Sequence, residues 1–271
     1  MFNEFSAVEA LISRYDYGGA MELMEDAGFE NYDLVVVLDS CRYAINFDFK
    51  SAMKKLYLLS DEYKEKKEMK ELKKNLEDLI HGKPDVILSE LLENIKFQIV
   101  NEEYIDFLGR VYRFKEALFK YMFVKKNLNK NKFSFHVPMM SKRNILKVLR
   151  KKYKIYNSNL VYSISNYLNK YAKEDYKFME VEKILNSERM NQLIELRNDS
   201  IVGHGFVGVS IDDIYKTYGN PYQVLDDFEI CLKKLEIDII KYKYSDLNKL
   251  LIEELRYISV KPYVKSGFPF E

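Results

Sequence analysis

Apolar side chains recur at three- and four-residue spacing through most of the chain, which is the period of an amphipathic helix. From Glu4 to Leu23 they fall at Phe5, Val8, Leu11, Ile12 and Tyr15, then at Ala20 and Leu23 beyond a break at Gly18-Gly19. Residues 61–80 are rich in Lys and Glu around a thin apolar stripe of Tyr63, Met69, Leu72, Leu76, Leu79 and Ile80. Most of that charge belongs to a solvated helical face. His81-Gly82-Lys83-Pro84 breaks the pattern, and Asp85 is placed to cap the next helix. Two long helices are predicted over 86–100 and 102–126, the second carried by Tyr104, Phe107, Val111, Phe114, Leu118 and Met122. A polar Asn/Lys-rich loop covers 127–136, and a helix begins near Ser141, after Pro138. Further helices fit 159–171, 178–203, 211–218 and, last, 221–242; Ser210 and Asp213 form a capping-box pair at the third of these.

One stretch, Asp33-Leu34-Val35-Val36-Val37-Leu38, suits a buried parallel strand of a nucleotide-binding fold. No glycine-rich phosphate loop follows it, so a helix is expected there too, and the fold class is all-α. With the break near residue 82 taken as a boundary, the chain divides into a helical domain over 1–82 and a helical bundle over 83–271.

Composition narrows the class. In 271 residues, 47% hydrophobic and 31% charged with ten Gly and five Pro exclude a disordered or collagen-like chain. Cys41 and Cys231 sit among apolar neighbours without a second Cys or a His at ligand spacing. They are expected to be buried free thiols of a reducing compartment, with no metal site. The longest apolar runs, such as Leu34 to Leu38, fall far short of the ~20 residues that span a bilayer. The N-terminus lacks a basic segment followed by an apolar one. A soluble cytoplasmic protein without membrane contact is expected.

The formal net charge of +1 conceals a segregation. Between Arg110 and Lys154 lie fifteen basic residues and one acid, Glu116. Tyr112, Phe114, Phe119, Tyr121, Phe123, Phe133, Phe135 and Tyr153 are interleaved with them. Cations meet phosphates and rings stack on bases, so the stretch suits a single-stranded polyanion. Arg143, Lys147, Arg150 and Lys151 are the candidate RNA contacts. The competing expectation is a solvated helical face whose aromatics, Phe114 and Phe119 first, are core.

Of the three histidines, His81 and His136 fall in loops. His204 ends the segment Leu196-Arg197-Asn198-Asp199-Ser200-Ile201-Val202-Gly203-His204-Gly205-Phe206. Arg197 and His204 are seven residues apart, two helical turns, so they share a face if the helix runs through Gly203. Gly205 would then stop the helix in the left-handed conformation. The pair supplies a group that titrates near neutrality and a permanent planar cation, with Asn198 as a neutral polar partner. Such a set can move protons at a ribose 2′-hydroxyl or a leaving 5′-oxygen and hold charge on phosphoryl oxygens. No cluster of carboxylates at metal-ligand spacing accompanies it, so no cofactor is expected. Read from spacing alone, the pattern is weak, and side chains that complement a helix dipole account for it more readily.

Arg197-Asn198 followed by Gly203-His204-Gly205-Phe206 resembles the Arg-x4-6-His motif of HEPN-domain ribonucleases. The chain looks most like the CRISPR-associated ribonuclease of type III-A systems (the Csm group). Tyr15-Asp16-Tyr17-Gly18-Gly19-Ala20 and Arg42-Tyr43-Ala44-Ile45-Asn46-Phe47-Asp48 resemble the helical segment that precedes the HEPN domain in that family. The stretch 107–117 looks like an early HEPN helix, and 206–214 resembles the segment on the C-terminal side of the motif.

This resemblance implies a homodimer whose two motifs form one composite site for single-stranded RNA. Cleavage would be metal-independent, by 2′-hydroxyl attack, and would leave a 2′,3′-cyclic phosphate. Arg197 would stabilise the phosphoryl charge, His204 would handle protons or position the 2′-hydroxyl, and Asn198 would orient one of them. Members of the family begin with a CARF domain that binds cyclic oligoadenylate. The residues ahead of the first helix here leave no room for one, so that activator is not expected to act on this polypeptide. A HEPN toxin using the same motif, and a non-catalytic helical module that binds RNA or a partner, are the alternatives.

Overall fold

The computed structural model describes residues 2–30, 32–128, 141–241 and 243–260. Among them the named secondary-structure elements are all helices, and Ser200 and Val207 form an isolated bridge. The helices are α1 (Phe2–Ser13), α2 (Tyr17–Asp26), α3 (Asp33–Ile45), α4 (Phe49–Leu56), α5 (Asp61–Lys64), α6 (Lys67–Ile80), α7 (Pro84–Val100) and α8 (Tyr104–Asn127). There follow α9 (Lys142–Tyr153), α10 (Leu160–Tyr171), α11 (Tyr176–Leu185), α12 (Glu188–Asp199), α13 (Ile211–Thr217), α14 (Tyr222–Lys234) and α15 (Lys243–Val260). The β-branched run at 33–38 is the first half of α3, with Leu34, Val35, Val37 and Leu38 buried.

The chain forms two compact units. The first joins the described residues up to Ile80 with α15, and the second is His81–Lys241. The expected second domain over 83–271 therefore differs from the structure, because α15 leaves it. In the first unit, buried Tyr17 donates through its hydroxyl to Asn248 Oδ1 at 2.8 Å, and Asn248 Nδ2 donates to the carbonyl of Ile12 at 2.7 Å. Those two bonds tie α15 to α1 and α2, whose neighbours in sequence lie at the other end of the chain. The expected last helix over 221–242 stops instead at Lys234. Glu236 adopts a positive φ of 59°, which no helix continues through, and the apolar pattern beyond it belongs to α15.

Three more boundaries differ from expectation for local reasons. The first break is not at Gly18-Gly19, which lie inside α2. It comes at Tyr15, with φ 63°, and Asp16 then caps α2 by accepting from the Gly19 amide at 2.9 Å. Asp85 is not a cap: Lys83 is the N-cap of α7, with Pro84 at its first position and Asp85 in its first turn. The helix expected over 178–203 is two helices. Asn186 ends α11 and turns its side-chain amide to Glu182 Oε1 and Ser165 Oγ, and Ser187 starts α12 in an extended conformation.

In the second unit α8 is the central helix, packed by α7, α10, α11 and α12. Phe107, Phe114, Phe119 and Phe123 are buried along it, and Phe114 lies against Phe228 of α14 with ring centroids 4.4 Å apart. The interleaved aromatics of α8 are thus core, with the exception of Tyr112. Cys41 and Cys231 are buried free thiols.

Candidate nucleic-acid site at the end of α12

Ser200 ends α12. It turns extended at φ −86° and ψ 172°, and its hydroxyl caps the Arg197 carbonyl at 2.7 Å. The following loop doubles back on the helix end and supplies the donors its last carbonyls lack. The amide of His204 donates to the Asn198 carbonyl at 2.9 Å, and that of Val207 to the Asp199 carbonyl at 3.1 Å. The helix therefore does not run through Gly203, and Arg197 and His204 do not stack along one helical face. Nor is Gly205 a left-handed terminator, since its φ is not in the positive range. Its role is space: a Cβ on Gly205 would lie 1.9 Å from the Asp199 carbonyl oxygen, and one on Gly203 would lie 2.3 Å from that of Asn198. Only a chain without side chains at 203 and 205 can fold this closely onto the helix.

The folded-back loop still brings the motif together. Arg197, Asn198 and His204 line one open pocket of about 540 Å3, with Tyr112, Asn159, Ile194, Asp199 and Gly205. The Arg197 guanidinium sits over the Tyr112 ring, 4.9 Å from its centroid, and its Nη1 donates to Asn198 Oδ1 at 3.1 Å. Arg197 Nε is buried with no hydrogen-bond partner. Burial raises the Tyr112 hydroxyl pKa, with Glu116 adding to the effect and Arg197 opposing it. The imidazole of His204 is exposed. The site thus offers a planar cation held from beneath by an aromatic face, an amide, an imidazole and one carboxylate, that of Asp199. No group of three or more His, Cys, Asp or Glu side chains among the described residues is arranged to hold a metal ion.

Tyr112, Asn159, Ile194 and Asp199 were not singled out from sequence as site residues. Tyr112 carried a faint signal as one of the aromatics in the basic stretch. Asn159 showed only as a helix start, and it does cap α10 by accepting from the Tyr162 amide at 3.1 Å.

Most of the described cations of this stretch lie on α8 and α9. Five of those on α8 are engaged structurally. Lys115 is buried, Arg113 and Lys120 flank Glu116, Lys126 pairs with Asp175 at 3.1 Å, and Lys125 donates to the Leu235 carbonyl at 3.1 Å. On α9, Ile145, Leu146 and Leu149 are buried, and Arg143, Lys147, Arg150 and Lys151 are exposed without an ion pair among the described residues. None of these four lines the pocket. Lys130, Lys132, Phe133, Phe135, His136 and Pro138 lie outside the described residues.

Comparison with protein-family models, curated proteins and solved structures finds no match. No helix among the described residues is long and apolar enough to cross a membrane.

Proposed function

We propose that this protein is an endoribonuclease that cuts single-stranded RNA without a metal ion, in a cytoplasmic HEPN-type site built from two copies of the chain. The observation that carries the reading is the shared pocket lined by Arg197, Asn198 and His204, residues that the Arg-x6-His pattern singles out. In this reading His204 takes the proton of a ribose 2′-hydroxyl, and the 2′-oxygen attacks the adjacent phosphorus. The 5′-oxygen leaves with a proton from the imidazole of the second copy, so the products are a 2′,3′-cyclic phosphate and a 5′-hydroxyl. Arg197 holds the charge that grows on the phosphoryl oxygens. Its guanidinium is braced by Tyr112 and Asn198, which keeps it in place before the reaction begins.

The loop that carries His204 also exposes Ile201 and Phe206, 68% and 95% accessible, together with Val207. Apolar side chains this exposed beside a polar pocket fit a surface that a second copy covers. The resemblance to the type III-A ribonucleases adds a role in CRISPR antiviral defence. A second reading is a non-catalytic RNA-binding module, favoured by the fact that Asn198 and Tyr112 already engage the Arg197 guanidinium.

The purified chain in EDTA is expected to cut a single-stranded RNA and leave cyclic-phosphate ends. His204→Ala is expected to slow cutting on the order of 100- to 10,000-fold. Bound but uncut RNA would assign the second reading, and cutting undiminished in His204→Ala would reject the first.

A further inference from the structure

The loop between α9 and the pocket is built to present one aromatic ring. Lys154 ends α9 at φ 56°, which turns the chain away from the helix axis. Ile155 is buried and its amide donates to the Leu149 carbonyl at 3.1 Å, pinning the loop to the core. On the other side, the Asn159 amide donates to Asn157 Oδ1 at 2.7 Å and Ser163 Oγ donates to the Asn157 carbonyl at 2.9 Å. Between these two anchors Tyr156 is 68% exposed. Three residues further on, Asn159 lines the pocket, and three beyond that Tyr162 is again exposed. Three residues of extended chain reach at most about 11 Å, so the backbone of Tyr156 is no further than that from the pocket residue Asn159. Arg150, Lys151 and Lys154, exposed and without an ion pair among the described residues, lie immediately before it. No acid occurs between Glu116 and Glu174.

We propose that the last turn of α9 and the loop to Asn159 form a binding track for single-stranded RNA that leads into the pocket. Tyr156 is its base-stacking platform, and Arg150, Lys151 and Lys154 hold its phosphates. The track rests on the ribonuclease reading for its direction, because it runs toward His204. Stacking on a fixed ring accepts any base, so the track grips RNA without choosing its sequence. A lipid surface is the other polyanion a basic helix can meet, but α9 has already buried its apolar face in the core through Ile145, Leu146 and Leu149. Nothing on it remains to enter a bilayer.

The chain contains no tryptophan, so Tyr156→Trp places a sole indole on the track. The probe is a fully 2′-O-methylated single-stranded RNA, which cannot be cut by 2′-hydroxyl attack. Its addition is expected to quench the Tyr156→Trp emission. Tyr176→Trp, an exposed position beyond the far end of α10, is expected to be unaffected. In the otherwise native chain, Tyr156→Ala is expected to weaken binding on the order of tenfold, and Tyr156→Phe to restore it. The double variant Arg150→Gln/Lys151→Gln is expected to lower the salt slope of binding by about 1.4.

An unquenched indole, or unchanged affinity in Tyr156→Ala, overturns the track. Quenching by phosphatidylserine vesicles but not by the RNA overturns it in favour of a membrane surface. Cleavage separates the two readings. If the native chain cuts RNA and Tyr156→Ala cuts it with the same KM, the track is wrong and the ribonuclease stands. If no chain cuts RNA but the indole is quenched, the ribonuclease reading falls and the track remains as a binding site.

Discussion

Lys115 places its ammonium group inside the second unit, between α8 and α12, with 4% of its surface exposed. Its Nζ has one hydrogen bond, to Asn191 Oδ1 at 3.2 Å. Burial pushes the pKa down from 10.5 to about 8, partly offset by the Glu182 charge. The folded chain therefore holds this proton less tightly than the unfolded chain. Between about pH 8 and 10.5 the unfolded state binds more protons, and stability contributed at this site rises with pH. Lys115→Met is expected to be more stable than the native chain at pH 7, by up to about 3 kcal/mol. That advantage should shrink as pH approaches 10. Urea unfolding of both chains across pH 7–10 checks this, and a constant difference would show that the ammonium is not penalised. No sequence signal marked Lys115, because a lysine one helical turn from Tyr112 reads as surface until α12 covers it.

The end of α12 depends on two glycines that act by their lack of a side chain rather than by any unusual φ. Gly205→Ala would drive a methyl group into the Asp199 carbonyl, so the loop must lift and carry His204 with it. The helices themselves do not depend on that contact. Gly205→Ala is expected to keep the native circular dichroism and, in the ribonuclease reading, to lower cutting on the order of 100-fold through misplacement of the imidazole. Gly208→Ala, where an added Cβ meets nothing within 4 Å, is the matched control and should cut as the native chain does. The helix signals that could be read from sequence are the ones made within a few residues. Ser141 accepts from the Asn144 amide, and Ser210 and Asp213 form their reciprocal box. The stop of α12 was not legible because Ser200, Gly203 and Gly205 act by folding back onto the helix, which no periodicity records.

The whole pocket belongs to the second unit, and Ile201, Phe206 and Val207 of the loop beside it are exposed. If the active site is shared by two copies, activity per chain should rise with chain concentration until the dimer is saturated. Phe206→Asp, which puts a carboxylate at the most exposed apolar position of the motif loop, should shift that curve to higher concentration. Sedimentation of both chains provides the second measurement. Activity per chain that is independent of concentration, in a chain that sediments as a monomer, would place the complete site in one copy.

The helical class, α3 in place of a strand, the caps of α9 and α13 and the exposed cations of α9 all follow from residues within one or two turns of each other. Local spacing decides them, so they can be read along the chain. The pocket cannot be read that way. Tyr112, Asn159 and Arg197 come from three separate stretches and meet because α8 and α12 pack in the same core as the start of α10. Arg197 and His204 share the pocket by the return of a loop, although the spacing had suggested two turns of one helix. The departure of α15 to the first unit has the same cause. Its partners Tyr17 and Ile12 lie more than 200 residues away, and burial selects such partners by shape and hydrogen bonding, not by position in the chain.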